Sequence, residues 1–192
     1  MISGLSRSSG IILISFLLSG CLMEPVKSLN PFYTKEILTQ FTKLEGNWKP
    51  VDPKSEIEIF SFEGEALVIK TKDGDRSSLS VKYFTIKDSV YLDVTASKNM
   101  KDEFTTHTVP FHSLFKIKRN NNQLSLFPLY EDEFNEKITK EGISFLSVLV
   151  DDSLKEYYIS PSSDWINFLT KFGEDKELFK EEFSVLLEKI EY

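Results

Sequence analysis

Alternation of apolar and polar residues dominates the middle of the chain, from about residue 46 to residue 130. Leu79, Val81 and Tyr83 share one face of such a run, because successive side chains of a strand point to opposite sides of a sheet. Asp73-Gly74 and Asn120-Asn121-Asn122 interrupt the alternation with residues typical of tight turns. Short strands at intervals of about 8–12 residues predict an antiparallel meander that forms a β-barrel or a strongly curved sheet.

Helical spacing of apolar residues replaces the alternation on both sides of this region. Residues 34–43 and 131–141 each carry apolar residues three or four positions apart and predict short helices, the second ended by Gly142. A further helix is predicted to begin near Ser163 and to end at Gly173. Its apolar face consists of Trp165, Phe168, Leu169 and Phe172.

The remaining C-terminal residues predict how the sheet ends. Residues 143–150 and 155–159 predict a closing pair of strands around Asp151-Asp152. A last apolar stripe predicts a second C-terminal helix, formed by Leu178, Phe179, Phe183, Leu186, Leu187 and Ile190. We therefore expect a mainly β domain with terminal helices, in which the C-terminal helices close the barrel by plugging a mouth or packing on its outside.

The start of the chain has the organisation of an export signal. Arg7 lies in a short polar lead, residues 11–18 form an apolar run, and small residues follow. The run is too short for a transmembrane helix, which needs about 20 residues. Leu18-Ser19-Gly20-Cys21 resembles the lipobox of bacterial lipoproteins. The resemblance implies cleavage between Gly20 and Cys21 and attachment of a lipid to the Cys21 thiol.

This resemblance sets the expected domain organisation and location. Residues 1–20 are the signal peptide, residues 21–30 the lipidated cysteine and a tether, and residues 31–192 a single β-rich domain. The partner implied is a bacterial membrane, held through covalent lipid. It is the outer membrane if the cell has two, because Leu22 and not aspartate follows Cys21. No second cysteine is present, so no intramolecular disulfide can form.

Charge narrows the classes of partner. The chain has a net charge of −7, which becomes −8 when the leader with Arg7 is removed. Such an acidic domain is a poor candidate for binding nucleic acid, because the phosphate backbone is itself negative.

Two resemblances concern the mature domain. Gly46-Asn47-Trp48 resembles the Gly-x-Trp element of lipocalin-like barrels, which implies a tryptophan that closes one end of the barrel. A larger set of segments resembles a group of short bacterial envelope lipoproteins without an established activity, which implies a compact β-rich domain with a closing helix. That set is Gly46-x-Trp48, Tyr91-Leu92-Asp93, Pro110-Phe111-His112, Leu124-Ser125-Leu126 and Trp165-x-x-x-Leu169.

Few residues suggest chemistry. The sequence contains no Gly-x-Ser-x-Gly nucleophile elbow and no phosphate-binding loop. His107 and His112 are five residues apart and lie on opposite faces of a regular strand, so a metal site is not expected. Asp93 lies among apolar residues, where a buried carboxylate either does acid–base chemistry or pairs with a nearby donor. No cofactor is expected.

We expect a non-catalytic protein that acts by binding. The abundance of phenylalanine, with 16 residues, suggests either a Phe-filled core or an apolar cavity for a small apolar or amphipathic ligand. The alternative is a protein–protein interaction module in envelope assembly or at the cell surface. An enzyme would need a cleft in which Asp93 and His112 come within hydrogen-bond reach. Trp48, Asp93, His112 and Trp165 are the residues expected to have structural or ligand-lining roles.

Overall fold

Eight antiparallel strands close into a barrel in the computed structural model, which describes residues 24–40, 42–96, 110–150 and 155–191. Seven strands follow the chain as a meander, and the eighth, near the C-terminus, lies between the seventh and the first. The predicted mainly β meander barrel is confirmed. In chain order its strands are β1 (Gly46–Pro50), β2 (Ile57–Glu63), β3 (Ala66–Thr71), β4 (Arg76–Ile86), β5 (Ser89–Ala96), β6 (His112–Asn120), β7 (Gln123–Pro128) and β10 (Val185–Lys189).

The chain between β7 and β10 leaves the barrel and covers its outer face. It forms helix α1 (Glu131–Glu141), a two-stranded ribbon of β8 (Ser147–Val150) and β9 (Lys155–Tyr158), and helix α2 (Ser162–Phe172). A 3₁₀ turn, Glu181–Phe183, then leads into β10. The helices predicted at residues 131–141 and near Ser163 are confirmed. Gly142 ends α1 in the left-handed conformation, at φ 63°, which glycine adopts without steric cost.

Two apolar cores result, one on each side of the sheet. The barrel core fills the interior and includes Leu44, Trp48, Phe60, Phe62, Ile69, Val81, Leu92, Leu124 and Leu187. The outer core lies between the sheet and the helices and includes Val26, Phe32, Phe84, Tyr91, Leu114, Phe134, Tyr158, Trp165, Phe168 and Leu169. Successive side chains of β5 therefore lie in different cores: Tyr91 in the outer core and Leu92 in the barrel core.

The predicted second C-terminal helix is wrong, because residues 185–189 form the strand that closes the barrel. Leu187 pairs with Leu124 of β7 on one side and with Pro50 of β1 on the other. An isolated helix in this place would leave the edges of both β1 and β7 without backbone partners, and unpaired edges are costly. Hydrogen bonding to two distant strands thus overrides the helical spacing of the local sequence.

Residues 143–150 and 155–159 do form a strand pair, but it does not belong to the barrel. The ribbon is joined to the body by its base, where Tyr158 is 1% exposed and packs in the outer core. The region predicted as a helix at residues 34–43 also differs. It contains two short 3₁₀ turns, Lys35–Ile37 and Thr42–Leu44, and Leu38 between them forms a β-bridge to Phe84 of β4. Contact with the part of β4 that extends beyond its pairing with β3 thus replaces the helix; Phe41 lies outside the described residues.

The residues expected to be a tether are ordered against the barrel from Glu24 onward. Val26 and Ser28 are fully buried. Val26 N–H donates to the Leu129 carbonyl at 2.9 Å, and Ser28 exchanges two backbone hydrogen bonds with His112 at 3.0 and 2.7 Å. This N-terminal segment, residues 24–30, is therefore part of the domain.

Ion pairs fasten α1 to the chain that follows α2. Lys137 Nζ lies 2.5 Å from Asp175 Oδ2, and Lys180 Nζ lies 2.9 Å from Glu133 Oε1. The hydrogen bond from Lys137 lowers the pKa of the Asp175 carboxyl below its usual value. A carboxyl with a lowered folded-state pKa adds stability above its unfolded pKa, and this stability is lost as the pH falls through the folded-state value.

We expect Leu187→Ala to lower the free energy of unfolding by about 2–5 kcal/mol, because it leaves a cavity in the barrel core beside the closing strand. Leu186→Ala is the matched control, since Leu186 is only half-buried. Urea denaturation followed by circular dichroism measures both. Equal effects of the two substitutions would contradict the placement of Leu187 in the barrel core.

Candidate functional site

Trp48 is buried in the barrel core near one end of the barrel, which we call the Trp48 end. The chain enters β1 at Gly46, whose φ of 116° is open to glycine and strained for other residues. The fully buried Trp48 side chain donates its Nε1–H to the Leu44 carbonyl at 2.8 Å. Arg119 and Lys189 lie over the indole ring, each 5.8 Å from its centroid. The indole thus ties the 3₁₀ turn before β1 to the barrel.

The barrel interior leaves little space for a ligand. An apolar cavity lined by residues such as Phe60, Leu92 and Phe115 has a volume of about 20 Å³, roughly enough for one water molecule. A drug-sized ligand needs several hundred Å³. A wider, open cleft of about 470 Å³ lies at the Trp48 end, between Lys43, Val90, Ile117, Arg119 and Asn121. The geometry of the interior is therefore that of a filled small barrel.

Asp93 and His112 form a hydrogen-bonded pair at the opposite end of β5, on the outer face of the sheet. His112 Nδ1 lies 2.6 Å from Asp93 Oδ1, and Asp93 is 1% exposed. Asp93 Oδ2 also accepts the backbone N–H of Phe32 at 3.0 Å. The two residues are diagonal neighbours, because Asp93 pairs with Leu114 and His112 pairs with Thr95 in the ladder.

This pair connects the N-terminal segment to the sheet. His112 binds Ser28 through its backbone and Asp93 through its side chain, and Asp93 in turn holds Phe32. Within the described residues, the His112 ring has no other hydrogen-bond partner. The pair holds the backbone of Ser28 and Phe32 against the sheet, and it brings Asp93 and His112 within the hydrogen-bond reach that the enzyme hypothesis required.

Trp165 lies at the centre of the aromatic part of the outer core. It is fully buried, and the ring centroids of Phe32 and Phe145 lie 4.6 and 4.5 Å from its own. Its Nε1–H has no acceptor in the described part of the chain. Trp165 therefore contributes apolar area and ring contacts but no hydrogen bond.

The ribbon carries an exposed apolar surface that the sequence interpretation did not single out. Leu146 is 63% exposed and Leu149 65% exposed, and Val148 and Ile159 are exposed by more than a third. Leu38 and Val51 are the only other exposed large apolar residues in the described part, and neither belongs to the ribbon. A cluster of exposed apolar side chains is characteristic of an interaction surface, whereas single ones are ordinary.

Several expected features lie outside the described residues. These are the lipobox with Gly20 and Cys21, and His107. Within residues 24–40, 42–96, 110–150 and 155–191, no group of three or more His, Cys, Asp or Glu side chains is arranged to hold a metal ion. In the same ranges no helix is long and apolar enough to cross a membrane.

The two tryptophans differ in hydrogen bonding, and we expect them to differ in sensitivity to substitution. Trp48→Phe leaves the Leu44 carbonyl without its donor, whereas Trp165→Phe removes an N–H that has no acceptor. The Trp48 variant should lose about 1–3 kcal/mol more stability than the Trp165 variant, the cost of an unsatisfied buried group. Parallel urea denaturation of the two variants tests this, and a larger loss for Trp165→Phe would contradict it.

We expect Asp93→Ala to destabilise the protein by about 1.5–3 kcal/mol, as loss of hydrogen bonds to a charged group does. It should also release the N-terminal segment, so that trypsin cleaves faster after Lys27, which is 7% exposed in the intact protein. Mass spectrometry of timed digests measures this cleavage. Asp88→Ala, in the exposed β4–β5 turn, is the control, and equal cleavage rates would show that Asp93 does not hold the segment.

Comparison with known proteins finds no relative for this chain. No protein-family model, no curated protein and no solved structure matches it.

Proposed function

We propose that this protein is a non-catalytic, lipid-anchored envelope protein that binds another protein through the β8–β9 ribbon. The observation that carries the proposal is the exposure of four apolar side chains on this ribbon, with Leu146, Val148 and Ile159 on one face and Leu149 on the other. The barrel serves as the rigid platform from which this ribbon is presented. The sequence also favoured a small apolar ligand, but an interior cavity of about 20 Å³ gives carriage inside the barrel no support.

The two faces of the ribbon have different surroundings. Tyr158 points into the outer core, where its ring lies 5.0 Å from that of Phe134. Leu146, Val148 and Ile159 belong to the opposite face, because side chains alternate along a strand and Leu146 is hydrogen bonded to Ile159 across the ribbon. Tyr157 pairs with Val148 on that face. The outward face thus presents Leu146, Val148, Tyr157 and Ile159, whereas Leu149 pairs with Glu156 and shares the face of Tyr158.

The outer edge of β8 offers backbone groups for strand addition. β8 pairs with β9 and, among the described residues, with no other strand. The edge of β9 is occupied at its base, since Tyr158 N–H donates to the Lys27 carbonyl and Leu29 N–H donates to the Tyr158 carbonyl, both at 2.8 Å. A free strand edge beside exposed apolar side chains is the geometry used in recognition by β-strand addition.

A protein strand suits this edge better than lipid does. An unpaired backbone N–H or C=O costs several kcal/mol in hydrocarbon, whereas a partner strand satisfies both groups. Asp151-Asp152 also lie between β8 and β9 in the sequence, and a charge that enters lipid is costly. We therefore favour a protein partner over direct insertion of the ribbon into a membrane.

The resemblance of residues 18–21 to a lipobox supports the proposed location. Cys21 would carry a diacylglycerol and a further acyl chain, and two or more chains anchor a protein stably where one does not. The acidic domain, with a net charge of −8 without the leader containing Arg7, would add no electrostatic attraction to anionic lipids. In a cell with two membranes we place the protein on the outer one.

Val148→Lys should abolish partner binding, because it puts a charge at the centre of the apolar face. The full lipidated chain is cross-linked in envelopes of its own bacterium, extracted in mild detergent, and analysed by mass spectrometry. Val51→Lys is the matched control, since Val51 is 41% exposed and Val148 38%. A stoichiometric partner should be present with the wild-type chain and with Val51→Lys, and absent with Val148→Lys.

Hydrogen exchange on the purified complex gives the second measurement. Amides of Ser147–Val150 should gain protection when the partner is bound, as strand addition requires. Binding that survives Val148→Lys, or protection that appears elsewhere and not in β8, would overturn the proposal. A small molecule that co-purifies in native mass spectrometry, without a protein partner, would favour ligand carriage instead.

A further inference from the structure

We infer that the ribbon is held at the membrane surface, so that its partner is a protein of the same membrane and not one free in the surrounding compartment. This inference rests on the proposed function and specifies the class of partner. Three features carry it: the order of the N-terminal segment, its contacts with the ribbon, and the short stretch of chain that separates it from Cys21.

The order of the segment leaves almost no free tether. Leu22 and Met23 alone separate Cys21 from Glu24 in the sequence, and Glu24 is already hydrogen bonded, its carbonyl accepting the N–H of Glu131 at 2.9 Å. Three Cα–Cα steps reach at most about 11 Å. A lipid on Cys21 would therefore hold Glu24 within about that distance of the bilayer surface.

The same segment runs along the base of the ribbon. Lys27 and Leu29 are hydrogen bonded to the backbone of Tyr158 on β9, and Lys27 Nζ lies 5.9 Å from the centre of the Tyr157 ring. The carboxylates of Glu24 and Glu156 are both close enough to Glu131 to raise its pKa, although burial is the larger cause. The ribbon thus extends from the part of the domain that lies next to the anchor.

The opposite end of the barrel is remote from the anchor. Asp88, in the turn between β4 and β5, lies at the Trp48 end, whereas Asp93 and His112 lie at the end that binds the N-terminal segment. Strands of eight to eleven residues, tilted as in other small barrels, separate the two ends by about 20 Å. A short tether therefore keeps the ribbon nearer to the bilayer than Asp88.

A single introduced cysteine can measure this orientation without any partner. Cys21 is the only cysteine in the chain, and lipidation consumes its thiol, so Ser147→Cys and Asp88→Cys each provide one site for a fluorophore. The full lipidated variants are reconstituted into vesicles of neutral phospholipid that carry an acceptor dye on the head groups. Energy transfer should be higher from position 147, in the ribbon, than from position 88.

Insertion of a long flexible linker is the matched control. About 20 Gly and Ser residues between Met23 and Glu24 span about 25 Å on average, and they should abolish the difference between the two positions. Equal transfer without the linker would overturn the inference and leave the proposed protein binding intact. Quenching of the label at position 147 by nitroxides placed deep in the acyl region would also overturn it, because the ribbon would then contact lipid rather than a protein.

The linker variant also tests the class of partner. If the partner belongs to the same membrane, the linker should lower the yield of the cross-linked complex, because the effective concentration of the two surfaces at the membrane falls. A partner free in solution would bind the linker variant and the wild-type chain equally, which would overturn the inference while supporting the ribbon as the binding surface. A Cys21 thiol that remains free, with no binding to vesicles, would overturn the anchor on which both rest.

Discussion

Closure of the sheet by β10 is the constraint on which the rest of the structure depends. This strand provides backbone partners to β1 and β7 at once, and without it both would be open edges. The barrel core, with Trp48 at one end and Leu187 at its wall, exists only when the ring is complete. The outer core and the ribbon depend on this ring. The helices pack on the outside of the sheet, and closure of the ring maintains the curvature of that sheet.

The abundance of phenylalanine is explained by the second core and not by a pocket. Phe60, Phe62 and Phe115 belong to the barrel core, but more of the buried phenylalanines lie outside the barrel. Those of the outer core are Phe32, Phe84, Phe127, Phe134, Phe168, Phe172 and Phe179. Rings in edge-to-face and tilted contact, such as Phe134 and Phe168 with centroids 5.0 Å apart, join the helices to the sheet without hydrogen bonds.

Local patterns predicted the elements whose partners are near in sequence. The alternation at Leu79, Val81 and Tyr83 was sufficient for β4, since its neighbours β3 and β5 follow directly along the chain. Residues 185–189 were misassigned because a short run of apolar residues satisfies both the helical and the strand spacing. Only the distant edges of β1 and β7 decide between them.

The candidate sites also differ in whether local sequence is enough to predict them. The Gly46-x-Trp48 element could be recognised from the sequence because its features are local. Gly46 adopts a φ of 116°, and Trp48 donates to the nearby Leu44 carbonyl. The contact of Asp93 with His112 could not, since it depends on the register between β5 and β6, and no local rule sets that register. The ribbon escaped notice because Leu146, Val148 and Leu149 have the composition of a buried strand, and exposure is a property of the assembled fold.

The order of the strands also determines when this protein can fold. Trp48 and Lys189 face each other across the closing pair, so the ring cannot form until residues 185–189 are present. Contacts between such distant residues carry a high loop-closure entropy and slow folding. During synthesis from the N-terminus, β1 to β7 would be present with two open edges before β10 follows them. The chain therefore needs protection from aggregation until residues 185–189 are available, and loss of these residues would leave a sheet unable to close.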